Sequence, residues 1–232
     1  MVHRMHQFED RAALAEALAD RVSALLSAAI AARGAASLAV SGGSTPKLFF
    51  EALSTRDIAW DRVTVTLVDE RFVPVDHSRS NHLLVATHLL KDKAAPARFV
   101  PLYHAAANAE DAAALATTET ANLGKPFDVV ILGMGNDGHT ASFFPGGDRL
   151  DEALDPLGAR RVMTMEAEGA GETRLTFSYP ALADARLLVL HVEGAEKKAV
   201  LDRALAGTDL REMPVRAVLE RAPTAPDIYW AP

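Results

Sequence analysis

Asp137 and His139 lie two residues apart in the run Gly133-Met-Gly-Asn-Asp-Gly-His139. That spacing lets a carboxylate orient and tune an imidazole acting as a general base. Three glycines allow positive φ and close backbone approach, so both side chains are expected on a tight loop and not along a helix. The loop follows Val129-Val-Ile-Leu132, an apolar run of the kind buried on both faces of a parallel sheet. A loop leaving such a strand lies at the carboxyl edge of the sheet, where α/β proteins bind ligands.

Two other strand exits carry reactive groups. Ser41-Gly-Gly-Ser-Thr-Pro46 separates an expected strand from an expected helix. Gly42, Gly43, Ser44 and Thr45 could therefore cradle a phosphate with backbone N–H groups at a helix N-terminus. The Gly-Lys-Ser/Thr ending of a Walker A loop is missing, and a plain glycine turn with Thr45 as N-cap and Pro46 in the first helical position explains the same residues. Asp69-Glu-Arg71 follows a Val/Thr strand, with Ser80-Asn81 shortly after it. This triplet is either a solvated turn or a site, in which Arg71 supplies a cation beside a phosphate or an oxyanion.

Several chemistries are disfavoured. Gly133 to Gly138 formally matches G-x-G-x-x-G, but Pro145-Gly-Gly interrupts within a few residues, where a dinucleotide fingerprint needs a long helix. The remaining histidines show no paired metal spacing, and no metal is expected. Ser44 and Ser142 lie outside any G-x-S-x-G elbow, so direct attack by water is the simpler scheme. There is no cysteine for a thiolate site or nucleophile, which fits a reducing compartment. A net charge of −7 argues against nucleic acid or an anionic membrane as partner. Met1 to Asp10 holds no apolar signal core and no stretch is long enough to span a bilayer, so a cytoplasmic location is expected.

The elements that position these loops follow from periodicity. A long helix runs from about Phe8 to a stop at Gly34. Strands are expected at 37–40, 63–68, 99–102, 129–132, 162–165, 174–177, 187–192 and 228–230, and helices at 47–53, 83–90, 108–123 and 195–206. Strands alternating with helices predict one α/β domain over residues 1–232. Its expected form is three-layered and doubly wound, with a mostly parallel sheet and helices on both faces.

In this order, the Ser41–Pro46 segment, Asp69-Glu-Arg-Phe-Val-Pro74 with Ser80-Asn-His82, and Gly133-Met-Gly-Asn-Asp-Gly-His-Thr-Ala-Ser-Phe-Phe-Pro145 closely resemble the 6-phosphogluconolactonases, within the larger group that includes glucosamine-6-phosphate deaminases. The resemblance covers nearly the whole chain. It implies a cofactor-free esterase acting on 6-phospho-D-glucono-1,5-lactone in the oxidative pentose phosphate pathway. It implies His139, Asp137 and Arg71 as catalytic residues, and Gly42, Gly43, Ser44, Thr45, Asp69 and Asn81 around the substrate. It further suggests that Arg174 and Lys197 grip the phosphate. Deaminases carry a carboxylate before the proline where this chain has Phe144, and an aromatic residue where it has Arg71; both differences point to the lactonase branch. A deaminase-type isomerase and a non-catalytic sugar-phosphate sensor are the alternative readings. The resemblance leaves monomer and homodimer open.

Overall fold

In a computed structural model, residues 3–123 and 125–232 are described. In chain order the elements are β1 (Arg4–Gln7), α1 (Arg11–Arg33), β2 (Ala36–Val40), α2 (Lys47–Ser54), β3 (Val63–Leu67), β4 (Asp69–Arg71), α3 (Asn81–His88) and β5 (Arg98–Val100). They continue with α4 (Ala109–Thr120), β6 (Val129–Leu132), α5 (Leu150–Ala153), β7 (Val162–Met165), β8 (Arg174–Phe177) and α6 (Tyr179–Leu182). The chain ends with β9 (Leu187–Glu193), α7 (Ala195–Ala206), α8 (Val215–Arg221) and β10 (Asp227–Ala231).

Seven strands form the central sheet in the order β1-β10-β9-β6-β2-β3-β5, and every pair in it is parallel. From β2 the chain winds outward through β3 to β5, then returns to the other side of β2 as β6 and winds outward through β9 to β10. Right-handed crossovers place the helices of these two halves on opposite faces, which makes the protein doubly wound. α1 packs on α2 and α2 on α3, while α7 packs on α8. The strand order reverses between β2 and β6, so the loops leaving those two strands flank the crevice in which such sheets bind ligands. β6 is buried along its whole length, as its unbroken apolar run requires.

α1 begins where Asp10 accepts from the Ala13 backbone N–H and ends at Gly34, whose φ of 79° suits a residue without Cβ. The start of α2 differs from expectation. Pro46 occupies the cap position, no side chain caps the helix, and Thr45 faces the cavity described below.

A larger difference concerns β7 and β8. They leave the parallel sheet and build an antiparallel one with β4, in the order β4-β8-β7. The short 166–173 connection explains this, because a parallel pair needs a crossover of a dozen or more residues while an antiparallel pair needs only a hairpin. Val68 joins the two sheets: its N–H donates to Val40 O of β2 and its carbonyl accepts from Phe177 N at the end of β8. The triplet Asp69-Glu-Arg71 is therefore a strand, neither a solvated turn nor a continuation of β3.

Candidate active site

The loop after β6 sets the geometry of the imidazole. His139 Nδ1 lies 2.6 Å from Asp137 Oδ1, and the same oxygen accepts from the His139 backbone N–H at 3.1 Å. An ionised carboxylate can only accept, so Nδ1 carries the hydrogen and Nε2 is left as the basic atom. Burial would raise the Asp137 carboxyl, but the hydrogen bond and charge of His139 outweigh it and hold the acid below its ordinary range. Gly135 makes this arrangement possible, since a Cβ there would overlap the His139 ring and the Asp137 carboxylate. The Gly135 N–H donates to His139 O at 2.8 Å and the Gly138 carbonyl accepts from Val215 N at 2.9 Å, closing the loop on itself and tying it to α8.

Beside the loop lies a cavity of about 240 Å³, on the carboxyl edge between β2 and β6. All of Gly42, Gly43, Ser44, Thr45, Asp69, Arg71, Asn81, Arg174, Lys197 and His139 line it. Thus the structure brings together every candidate site residue except Asp137, which stands behind the imidazole.

The antiparallel sheet brings two cations to one spot. In the β4–β8 register Arg71 lies directly opposite Arg174. Like charges facing each other across a ladder destabilise it unless something neutralises them. Each guanidinium also keeps a buried Nε with no hydrogen-bond partner. Arg71 Nη1 donates to Asn81 Oδ1 at 2.5 Å and Arg79 O at 3.1 Å, while Arg174 Nη2 donates to Ala170 O at 2.8 Å. Burial lowers the pKa of Arg174, opposed by the Asp69 carboxylate 3.7 Å away. Lys197 Nζ donates to Met134 O at 2.7 Å; burial lowers its pKa as well, against the attraction of Asp137 and Glu196. Two opposed arginines, a lysine and a glycine loop thus line one cavity, an arrangement able to hold an oxyanion.

The remaining polar groups hold these in place. Glu70 is fully buried and accepts from the backbone N–H groups of Arg71, Asn81 and His82 at 2.8 Å and from Ser80 Oγ at 3.2 Å. Burial raises its pKa against those three backbone donors. It fastens α3 to β4, so that Asn81 reaches both Arg71 and, through Nδ2, the Asp69 carbonyl at 2.9 Å. A Cβ on Gly42 would overlap the Asn81 amide, which explains the glycine. Ser142 is buried and donates to Asp69 Oδ2 at 2.6 Å, an anchoring role and not a nucleophilic one.

Residues 9–230 match the family described as glucosamine-6-phosphate isomerases/6-phosphogluconolactonase. The chain belongs to this family. A 6-phosphogluconolactonase of Rhizobium meliloti is 67% identical over 232 residues, covering 100% of both chains. Another, from Mesorhizobium japonicum, is 52% identical over 230 residues, covering 99% of this chain and 96% of its own. The crystal structure of a 6-phosphogluconolactonase from Shewanella baltica superposes with a TM-score of 0.96 at 40% identity, covering 100% of this chain and 98% of that one.

Within the isomerase/lactonase family, Phe144 occupies an informative place here. Its ring centroid lies 4.3 Å from that of His139, and Arg174 Cζ sits 5.2 Å above the same ring. A buried aromatic ring thus packs against the imidazole and the guanidinium, and it offers no second proton-transfer group. His191 is the cavity residue that the sequence reading passed over, because a lone histidine inside an apolar strand carries no signal of its own.

Proposed function

We propose that this chain hydrolyses 6-phospho-D-glucono-1,5-lactone to 6-phospho-D-gluconate, the lactone-opening step of the oxidative pentose phosphate pathway. One observation carries the reading: a carboxylate-oriented imidazole and a group of three cations, Arg71, Arg174 and Lys197, line a single cavity. The relatives named 6-phosphogluconolactonase support the substrate.

In the mechanism, His139 Nε2 takes a proton from water as its oxygen attacks the lactone carbonyl. Asp137 stabilises the imidazolium, which then protonates the departing ring oxygen. Arg71, or backbone N–H groups of the 133–138 loop, holds the tetrahedral oxyanion. Arg174 and Lys197, with the Gly42–Thr45 loop, hold the 6-phosphate and so orient the reacting end. The His139–Asp137 pair favours an enzyme over a sensor, and Phe144 favours ester hydrolysis over the multi-step proton shuttling of a deaminase.

The deciding experiment follows acid release from freshly made 6-phosphogluconolactone above the spontaneous rate, with ammonia release from glucosamine 6-phosphate measured in parallel. Acid release without ammonia is expected. The reverse result would overturn the assignment.

A further inference from the structure

One buried cation stands outside the cavity described above and takes no part in the mechanism. Arg216 of α8 is 3% exposed. Its Nε donates to Ala204 O and its Nη2 to Arg203 O, each at 3.1 Å. These carbonyls belong to the last turn of α7, where a helix leaves acceptors unsatisfied and favours a cation. From the same guanidinium, Nη1 donates to Asp209 O at 2.8 Å and to Glu212 Oε2 at 2.5 Å. A Cβ on Gly207 would overlap the guanidinium, so the missing side chain there leaves Arg216 its place.

What this anchor holds is the segment that backs the imidazole loop. Met213, Pro214 and Val215 run directly into Arg216. The Val215 N–H donates to Gly138 O at 2.9 Å, and the buried Met213 side chain fills the space that a Cβ on Gly138 would need. Gly138, with a φ of 81°, stands between Asp137 and His139. It is therefore held at its carbonyl by one neighbour of Pro214 and at its α-carbon by the other. Rotation there would change the 2.6 Å contact between Asp137 and His139, because the two side chains leave the chain on either side of it. Lys197 lies at the opposite end of α7, its Nζ fixed on Met134 O, so the phosphate lysine is anchored independently.

Resting on the reading that His139 is the general base of a lactonase, we propose that Arg216 is a positioning residue for the Asp137–His139 pair, acting through Met213 and Val215 on Gly138. General-base catalysis depends on where Nε2 points, and a misplacement of about 1 Å can cost about a hundredfold in rate. Glycines at 133, 135 and 138 leave the loop free to adopt many backbone conformations, so its stiffness has to come from outside. The guanidinium supplies it, as a rigid planar fork that joins the end of α7 to the 209–212 segment. Its effect on the imidazole is mechanical, passed along the chain from Arg216 to Val215 and Met213.

The test is steady-state kinetics of Arg216→Met on freshly made 6-phosphogluconolactone, in the otherwise unaltered chain and in an Asp137→Ala background. In the unaltered chain kcat should fall about tenfold or more, while KM and the affinity for 6-phosphogluconate change by less than about threefold. With Asp137 already gone there is no pair left to align, and the same substitution should cost less than about twofold. A residue that only kept the protein folded would lower kcat by the same factor in both backgrounds. That result overturns the proposal, as does an unchanged kcat or a loss confined to KM. If Arg216→Met does not fold, Gly207→Ala decides by the same cycle: it keeps every donor but puts a Cβ where the guanidinium lies, and the Gly207 φ of −119° suits alanine. Wild-type kcat in the folded Gly207→Ala protein overturns the proposal. Absence of turnover in the unaltered chain would overturn the lactonase assignment and this inference with it; turnover with uncoupled losses overturns this inference alone.

Discussion

The two ends of the central sheet both gather charge, and they treat it differently. At the amino edge, Asp128 precedes β6 and is buried among partners that satisfy it. Arg33 pairs with one of its oxygens, Arg186 Nε lies 3.4 Å from the same oxygen, and Ser37 donates to the other from its backbone N–H at 2.9 Å and its hydroxyl at 3.3 Å. At the carboxyl edge, Arg71 and Arg174 face each other with buried Nε groups unfilled, and Lys197 donates to a carbonyl and not to a carboxylate. One cluster is closed by its own chain and the other lines a cavity. Charge at a strand end therefore does not by itself identify a site; cations gathered around a cavity at the carboxyl edge mark the candidate.

Substitutions at the two ends should separate on that basis, and His139→Ala should have the largest effect. Loss of the general base should lower kcat by about two to four orders of magnitude, with KM nearly unchanged and thermal stability intact. Near-normal turnover in the folded variant would refute the mechanism. Arg174→Ala should weaken 6-phosphogluconate binding by about 1.5–3 kcal/mol, the range for a hydrogen bond to a charged group. Steady-state kinetics on the phosphorylated and plain lactones should confine the loss to the former, whereas equal losses would make Arg174 a fold residue.

At the other end, Asp128→Ala should cost about 1–2 kcal/mol in denaturant unfolding, because the arginines it strands are half-exposed and can rehydrate. Its kcat/KM should match the wild type; a matching fall in activity would show that the two edges are coupled. The smallest effect concerns Lys197. Burial lowers its pKa, so the charged form prevails below that value and is lost as pH rises through it, earlier than for an ordinary lysine. Affinity for 6-phosphogluconate should therefore fall on the alkaline side, and Lys197→Arg should remove that decline. Titrations across the alkaline range that superimpose for the two proteins would count against a phosphate contact by Lys197.

Much of this was legible in the chain because it is local. Asp137 and His139 are two residues apart, so the glycine spacing alone presents them together, and the β6 run and the α1 stop at Gly34 declare their own structure. Other features had no local signal. Glu70 read as one charge in a polar triplet, yet it is fully buried and fastens α3 to the strand, because its partners in Ser80, Asn81 and His82 lie ten to twelve residues on. His191 read as an isolated histidine until β9 was placed beside the cavity.

The sequence by itself determined the parallel α/β class and placed the glycine-rich 41–46 and 133–138 segments at strand exits, since each rests on periodicity or spacing within a few residues. Only the tertiary structure decided that β4, β7 and β8 leave the main sheet, and that their register sets Arg71 against Arg174 although the two are more than a hundred residues apart in the chain. Pairing of distant strands depends on which surfaces are left to bury once the parallel sheet has formed. That is a property of the whole packing, and no short window of sequence contains it.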